Sequence, residues 1–241
     1  MKKFVLALGV SLFAVQPVLA SDWGYRFGNG AHRWGDISPD YALCKTGQEQ
    51  SPINISAFLK TDLPALTPSY QAVPLEVANT GKSVQVNAAA GGFVLNGNAY
   101  RLEHVHFHTP SEHYIDGAPY PMELHMVHKS DGGALAVIGV MLKVGEHNPV
   151  IEGIWQNVPA AGEAKPVSGV SINPADLLPS GRDYYMYDGS LTTPPCSEGV
   201  TWFVMKDSIT LSPIQLKAFQ AVFPVNARPI NLLNDRVVRG N

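Results

Sequence analysis

Three histidines alternate with apolar residues near the middle of the chain, and this pattern restricts the local fold more than any other feature. The segment runs His104-Val105-His106-Phe107-His108. In a β-strand, successive side chains point to opposite faces of the sheet. The three imidazoles would therefore share one face, and the two apolar side chains would point into the other. The pattern predicts a strand that carries a cluster of imidazoles on one side.

The same spacing suits a metal ion. Alternate residues on a strand lie about 6.5–7 Å apart, a span that two imidazole rings can close around one ion. His125, on the strand-like segment 123–127, is the natural third ligand. Three neutral imidazoles with one open position are typical of a catalytic zinc site. The spacing alone does not rank His104, His106 and His108, and a polar strand that binds nothing is the alternative.

Other segments predict a mainly β chain. Strand-like content or alternation occurs at 84–86, 93–95, 102–108, 124–128 and 200–204. The nearly continuous apolar run Leu135–Val144 is typical of a strand covered on both faces. Helix starts are few, and the two clearest are Asn148-Pro149 and Ser212-Pro213, where a capping residue precedes a proline. No repeat or linker follows residue 21, so we expect one domain over 21–241.

The first twenty residues predict a signal peptide. Lys2 and Lys3 precede an apolar run, 4–15, and small residues stand before Ser21. The alternative is a membrane anchor, but the run is shorter than the about 20 residues that cross a bilayer. No other segment is long and apolar enough to cross, so we expect a periplasmic or secreted protein. The formal net charge of −3 argues against nucleic-acid binding.

Export makes the two cysteines informative. Cys44 and Cys196 are the only cysteines of the sequence. An even number of cysteines in an oxidising compartment favours a disulfide bond. Two buried free thiols are the alternative.

Several motifs, in order and spacing, resemble the α-class carbonic anhydrases, and in particular bacterial, exported members. The resemblance covers nearly all of 22–236. The matching segments are 22–25, 50–55, 106–113, 123–128, 190–196, 200–202 and 226–229. The resemblance implies a single domain, mainly β, built on a large twisted, mostly antiparallel central sheet with a few short helices. It also implies a zinc lyase that reversibly hydrates CO2 to bicarbonate by attack of a zinc-bound hydroxide. As partners we expect only this small substrate, on a monomer or homodimer.

The resemblance also implies roles for single residues around the metal. The implied zinc ligands are His106, His108 and His125. The implied partners of those ligands are His104, Glu123 and Asn226. Thr192 would accept a hydrogen bond from the hydroxide and donate one to Glu112, which would orient the attack. The implied hydrophobic wall for CO2 consists of Val127, Val137, Leu191, Val200 and Trp202, with Thr193 at the mouth.

One position departs from the family pattern. In fast members a histidine near the rim carries the product proton to solvent, and Lys82 stands at that position. A lysine ammonium holds its proton too tightly at neutral pH to relay one. We expect slow proton export, with Tyr25 and Gln85 ordering the water chain and soluble buffer taking over the relay.

Two other functions remain open. One is a non-catalytic module with the same shell that holds zinc or a partner. The other is hydrolysis of small esters, which a zinc hydroxide can also perform and which would be a side activity. The presence of all three histidines together with Thr192 and Glu112 favours a catalytic protein over the non-catalytic module.

Overall fold

The computed structural model describes residues 23–241. The predicted signal peptide, 1–20, lies outside the described residues. Within the described part, the structure contains no helix that has the length and apolar character needed to span a membrane.

Short strands dominate residues 23–241. The strands are β1 (Asn54–Ile55), β2 (Leu59–Lys60), β3 (Ser69–Tyr70), β4 (Val73–Asn79), β5 (Val84–Asn87), β6 (Gly91–Leu95), β7 (Asn98–His108), β8 (Tyr114–Ile115), β9 (Ala118–Pro119), β10 (Met122–Ser130), β11 (Leu135–Val144), β12 (Ala164–Ile172), β13 (Tyr184–Ser190), β14 (Glu198–Met205), β15 (Ile209–Leu211) and β16 (Arg239–Gly240). The α-helices are α1 (Trp34–Ile37), α2 (Leu43–Thr46), α3 (Pro149–Trp155) and α4 (Pro213–Val222). Short 3-10 helices span Ala31–Arg33, Pro39–Tyr41 and Pro174–Leu177.

One large sheet organises the chain. Its main path has the order β12-β4-β5-β7-β10-β11-β14-β13-β16-β2. Most neighbours are antiparallel, while β11 pairs in parallel with β14 and β15, and β16 with β2. The predicted mainly β fold with a mostly antiparallel central sheet is confirmed. The histidine strand β7 and its neighbour β10 lie at the centre of this sheet.

Alternation along the central strands divides the buried apolar residues into two clusters. On β7, Val105 and Phe107 belong to the larger cluster, which lies on the face opposite the histidines. On β11, Ile138 belongs to that cluster and Val137 to the smaller one. Burial on both faces confirms the prediction made for this strand. The smaller cluster therefore shares the sheet face that carries the imidazoles.

Both predicted helix starts are confirmed. Asn148 accepts hydrogen bonds from the backbone N–H groups of Val150 and Ile151 at the start of α3. Ser212 and Gln215 form a capping box at the start of α4. The side chain of Gln215 is buried and also bonds both backbone groups of Asn148, so it joins the two helix starts. Gln215 can be buried because its polar side-chain atoms all have hydrogen-bond partners.

The predicted disulfide is confirmed. Cys44 lies on α2 and Cys196 in the loop that follows β13, and the two are bonded with a Cα–Cα distance of 5.0 Å. The loop containing Cys196 also contains Thr192. The bond therefore ties that loop to the N-terminal part of the domain.

We expect removal of this bond to destabilise the protein. The bond joins residues 152 positions apart, and a cross-link over such a distance typically stabilises a fold by about 2–4 kcal/mol, mainly by restricting the unfolded chain. The double variant Cys44→Ala/Cys196→Ala should lose that amount in urea unfolding. Reductant should lower the unfolding midpoint of the wild type and leave the double variant unchanged. Equal midpoints for the oxidised wild type and the double variant would contradict this expectation.

Candidate metal centre

Three imidazoles converge on the face of the sheet that the alternation predicts. His106 and His108 stand on β7, and His125 stands on β10 directly opposite His106 in the strand register. The ring centroids lie 4.6–5.1 Å apart. One nitrogen from each ring lies within 4.8 Å of the others. This separation allows all three nitrogens to reach one ion.

Fixed hydrogen bonds orient two of these rings. His108 Nδ1 lies 2.7 Å from the backbone oxygen of Asn226, so this nitrogen carries the proton and donates. His125 Nε2 lies 2.8 Å from Glu123 Oε1 and donates to that carboxylate. When the ring is neutral, each bond leaves the opposite ring nitrogen with its lone pair. Such partners fix the tautomer and orientation of metal-binding histidines.

Unpaired buried nitrogens support a metal-binding role. Among the described residues, His108 Nε2 and His106 Nδ1 are buried and have no hydrogen-bond partner. Buried polar groups without a partner are costly, so their presence calls for a ligand or a specific role. The three-nitrogen donor set is the one that zinc accepts in catalytic sites. The residues present therefore fit zinc.

The environment keeps two of the three rings neutral. Burial holds the pKa of His106 well below its ordinary value, and the neighbouring imidazoles lower it further. Burial also lowers the pKa of His108, although Glu112 opposes this effect. For His125, burial alone would lower the pKa, but Glu123 and Glu112 raise it. A neutral imidazole is the form that offers a lone pair to a metal.

His104 does not join the cluster. It is half-buried, its ring centroid lies 5.2 Å from that of His106, and it does not belong to the group of converging nitrogens. Within residues 23–241, His106 Nδ1 makes no hydrogen bond to His104. The role of His104 beside the first ligand stays a prediction.

Glu123 forms the centre of a buried polar group behind the cluster. Its Oε1 accepts from His125 and from His113 Nδ1, each at 2.8 Å. Its Oε2 accepts the backbone N–H groups of Glu112 and His113. Burial alone would raise the pKa of Glu123, but the two histidines hold it well below its ordinary value. The carboxylate is therefore ionised and fully occupied as an acceptor.

Glu112 lies buried beside the cluster. Its Oε1 accepts the backbone N–H of Arg228 at 2.8 Å, while its Oε2 has no hydrogen-bond partner among the described residues. Thr192 is buried in the loop after β13. The hydrogen bond expected from Thr192 to Glu112 is thus not formed in this arrangement of side chains. The pairing of the two stays a prediction.

The side chains predicted to form an apolar wall fall into one cluster. Trp202, Val127, Val137 and Val200 belong to the smaller core cluster, and Leu191 packs against it. The ring of Trp202 lies 4.9 Å from that of His125, between centroids. Thr193 is half-buried in the same loop as Thr192. An apolar surface thus adjoins the histidines.

The residues predicted for the proton path lie on two segments. Tyr25 packs edge-on against Trp23. Lys82 Nζ lies 5.3 Å from the centre of the Trp23 ring, which gives the two a cation–π contact. Gln85 pairs with His106 in the strand register, and its amide donates to Asn87.

Sequence reasoning missed the part played by Arg228. This buried side chain donates to the backbone oxygens of Ser51 and Cys44, at 2.7 and 3.0 Å. Burial lowers the pKa of its guanidinium to about 10, and Glu112 opposes this effect. Arg228 stood in one of the matching motifs, but its type alone does not reveal which backbone oxygens it meets.

Comparison with known proteins agrees with the geometry. The family model for eukaryotic-type carbonic anhydrases matches residues 29–241. A carbonic anhydrase from a Nostoc species is 41% identical over 97% of this chain and 92% of its own length. The α-carbonic anhydrase of Thermovibrio ammonificans, solved with sulfanilamide, superposes with a TM-score of 0.87 at 41% identity and covers 91% of this chain and 99% of its own. Dioscorin DB3L of Dioscorea polystachya is 36% identical over 87% of this chain and 82% of its own length.

The matched region spans both strands that carry the histidine cluster and the loop that carries Thr192. The chain covers 92% of the Nostoc enzyme and 98% of a carbonic anhydrase from Pectobacterium atrosepticum. The chain therefore belongs to the eukaryotic-type, or α-class, carbonic anhydrase family of enzymes.

Proposed function

We propose that this chain is a zinc enzyme that reversibly hydrates CO2 to bicarbonate and a proton. The observation that supports this most is the convergence of one nitrogen each from His106, His108 and His125 within 4.8 Å. Because the protein supplies three ligands, a zinc ion held by them would keep its fourth position open for the reaction.

The residues behind the ligands hold the geometry. His106, His108 and His125 would bind zinc, while Glu123 and the Asn226 carbonyl keep two of the rings in orientation. Zinc in such a site supplies a nucleophile at neutral pH by lowering the pKa of its bound water, as is established for carbonic anhydrases.

Thr192 and Glu112 would orient the attack. Glu112 Oε2 is a buried acceptor without a hydrogen-bond partner among the described residues, so it is available to accept from the Thr192 hydroxyl. With its own proton so engaged, Thr192 can only accept from the nucleophile. The nucleophile would then keep a lone pair directed at CO2, which is an orientation effect.

The smaller core cluster would receive CO2. This substrate is apolar and small, and the wall of Trp202, Val127, Val137, Val200 and Leu191 offers it a surface without competing hydrogen bonds. Thr193, half-buried in the loop beside Thr192, would stand at the mouth.

The experiment that tests this function measures zinc and CO2 hydration on the same purified protein. We expect one zinc ion per chain, loss of hydration when a chelator removes it, and recovery when zinc is added back. Zinc at full occupancy without hydration would support a non-catalytic module instead. Hydrolysis of small activated esters should follow zinc occupancy too, as a side activity of the same site.

We also propose that residues 1–20 are removed on export, leaving a mature domain of 21–241 in the periplasm or outside the cell. The disulfide supports this proposal, because such bonds persist in oxidising compartments. N-terminal sequencing of the protein from its native host would show Ser21 as the first residue. Met1 at the mature N-terminus would contradict it.

We expect Lys82→His to speed proton export. Turnover of the wild type should rise with the concentration of an imidazole-type buffer, because position 82 offers no imidazole that could relay the proton. A histidine titrates near neutral pH and can relay protons, so the variant should turn over about tenfold faster in low buffer. Stopped-flow hydration at several buffer concentrations measures both. Buffer-independent turnover of the wild type, unchanged in Lys82→His, would contradict the expectation.

A further inference from the structure

A chain of buried hydrogen bonds runs from the histidine cluster to the loop that carries Thr192. It starts at His125 and passes through Glu123 to His113. From His113 Nε2 it reaches the Tyr187 hydroxyl at 2.6 Å, and from there Ser51 Oγ at 2.8 Å. The side chains of Glu123, His113, Tyr187 and Ser51 are at most 1% exposed. Such a network is isolated from solvent, so each member depends on its neighbours.

The far end of the chain reaches β13 and the start of the loop. Ser51 Oγ accepts the backbone N–H of Ser190 at 3.0 Å, and Ser190 Oγ accepts the backbone N–H of Ser51 at 2.8 Å. Ser190 Oγ also donates to the backbone oxygen of Leu191, the residue before Thr192. Residues far apart in sequence thus connect a histidine of the cluster with the loop.

The chemistry of the members sets the direction of each bond. The carboxylate of Glu123 can only accept, so His113 Nδ1 donates to it. With Nε2 of that ring as the acceptor, the Tyr187 hydroxyl donates to it, and the Tyr187 oxygen accepts from Ser51 Oγ. Every proton of the chain then has one acceptor. Removing the Tyr187 hydroxyl leaves His113 without its donor and Ser51 without its acceptor.

Two glycines supply independent evidence that the chain is closely packed. A Cβ atom at Gly139, opposite His125 in the register, would stand 2.9 Å from Glu123 Oε1. A Cβ atom at Gly189 would stand 2.2 Å from Ser51 Oγ and 2.8 Å from the Tyr187 ring. A larger residue at either position would collide with a side chain of the hydrogen-bond chain: Glu123 at position 139, and Ser51 and Tyr187 at position 189.

We propose that Tyr187 is a positioning residue that couples the zinc site to the Thr192 loop. Through His113 it holds Glu123, and through Glu123 it holds His125 at a fixed angle to the metal. Through Ser51 and Ser190 it joins this arrangement to the backbone just before Thr192. The proposal rests on the proposed function, since it takes His125 to be a zinc ligand.

The decisive variant is Tyr187→Phe, which removes one hydroxyl. Outer partners of metal-binding histidines are worth about 10–100-fold in metal affinity. Tyr187 is three hydrogen bonds away from the ligand His125, so we expect the lower end of that range, with zinc release to a chelator about tenfold faster. The matched control is Tyr184→Phe. Tyr184 lies on the same strand and is equally buried, but its hydroxyl donates to the Pro64 carbonyl, outside the chain.

Tyr187→Phe loses two hydrogen bonds and Tyr184→Phe loses one, so both should lose some thermal stability. Only Tyr187→Phe should release zinc faster. If Tyr187→Phe does not fold, Ser51→Ala interrupts the same chain one step further on and is measured in the same way. Zinc release at the wild-type rate in the variant that folds would overturn the proposal. A wild-type protein that binds no zinc would instead overturn the proposed function, and this inference with it.

Hydrogen exchange tests the coupling at the other end. The Leu191 amide donates to the Ser197 carbonyl at 2.9 Å and so reports on the loop. Removing zinc should speed exchange of this amide in the wild type and in Tyr184→Phe. In Tyr187→Phe, exchange should already be fast with zinc bound and change little on removal. A response to zinc as large as that of the wild type would contradict the coupling.

Discussion

Replacing His125 with alanine should abolish both zinc binding and CO2 hydration. The substitution removes one of three converging nitrogens and leaves Glu123 Oε1 with only His113 as a side-chain donor. Even an outer partner of a metal ligand is worth about 10–100-fold in affinity, so loss of the ligand itself should cost more than about 100-fold. Hydration should fall to the rate of the metal-free wild type.

The matched control for this variant is His128→Ala. His128 is a buried histidine on the same strand, but it faces the other side of the sheet, where its Nε2 lies 2.7 Å from the Tyr70 hydroxyl. Its loss should destabilise the fold by a comparable cavity cost and leave zinc content unchanged. Full zinc occupancy and wild-type hydration in a folded His125→Ala protein would contradict the assignment of His125.

The sequence predicts the histidine cluster well because strand alternation is a local rule. His106 and His108 share a face whatever the rest of the fold does, and an adjacent strand then brings in His125. The two-sided burial of most of Leu135–Val144 likewise follows from a local feature, the nearly continuous run of apolar residues in this segment. These features depend on the order of neighbouring residues, which the sequence states directly.

The supporting contacts are not local and escape such reasoning. The Asn226 carbonyl that accepts from His108 lies 118 positions away in the sequence. Ser51 and Tyr187, which share a hydrogen bond, are 136 positions apart. A backbone carbonyl has no sequence signal, and a tyrosine or serine is compatible with many different packing environments. The matching motifs marked where Ser51 and Arg228 stand, but which group each meets is decided by how the distant segments pack.

Glu112→Gln should reduce hydration by about 100-fold while zinc remains fully bound, the scale seen when one oriented hydrogen bond at a reacting group is lost. In the variant, the amide oxygen of glutamine can still accept from the Arg228 backbone N–H, and the NH2 group then occupies the place of the acceptor Oε2. This NH2 group would donate to the Thr192 oxygen. The Thr192 proton must then point elsewhere, and Thr192 no longer presents only a lone pair to the nucleophile. Zinc content and stopped-flow hydration measure the two effects separately.

A double-variant cycle separates this orientation effect from a general disturbance of the site. Thr192→Val keeps the shape of the side chain and removes its hydroxyl, so it should lose about as much activity as Glu112→Gln. If Glu112 acts through Thr192, the combined variant should be no slower than either single variant, because the second change removes nothing further. Losses that multiply would show that Glu112 acts independently of Thr192. Equal zinc content in all four proteins is the control, since neither residue is among the converging ligands.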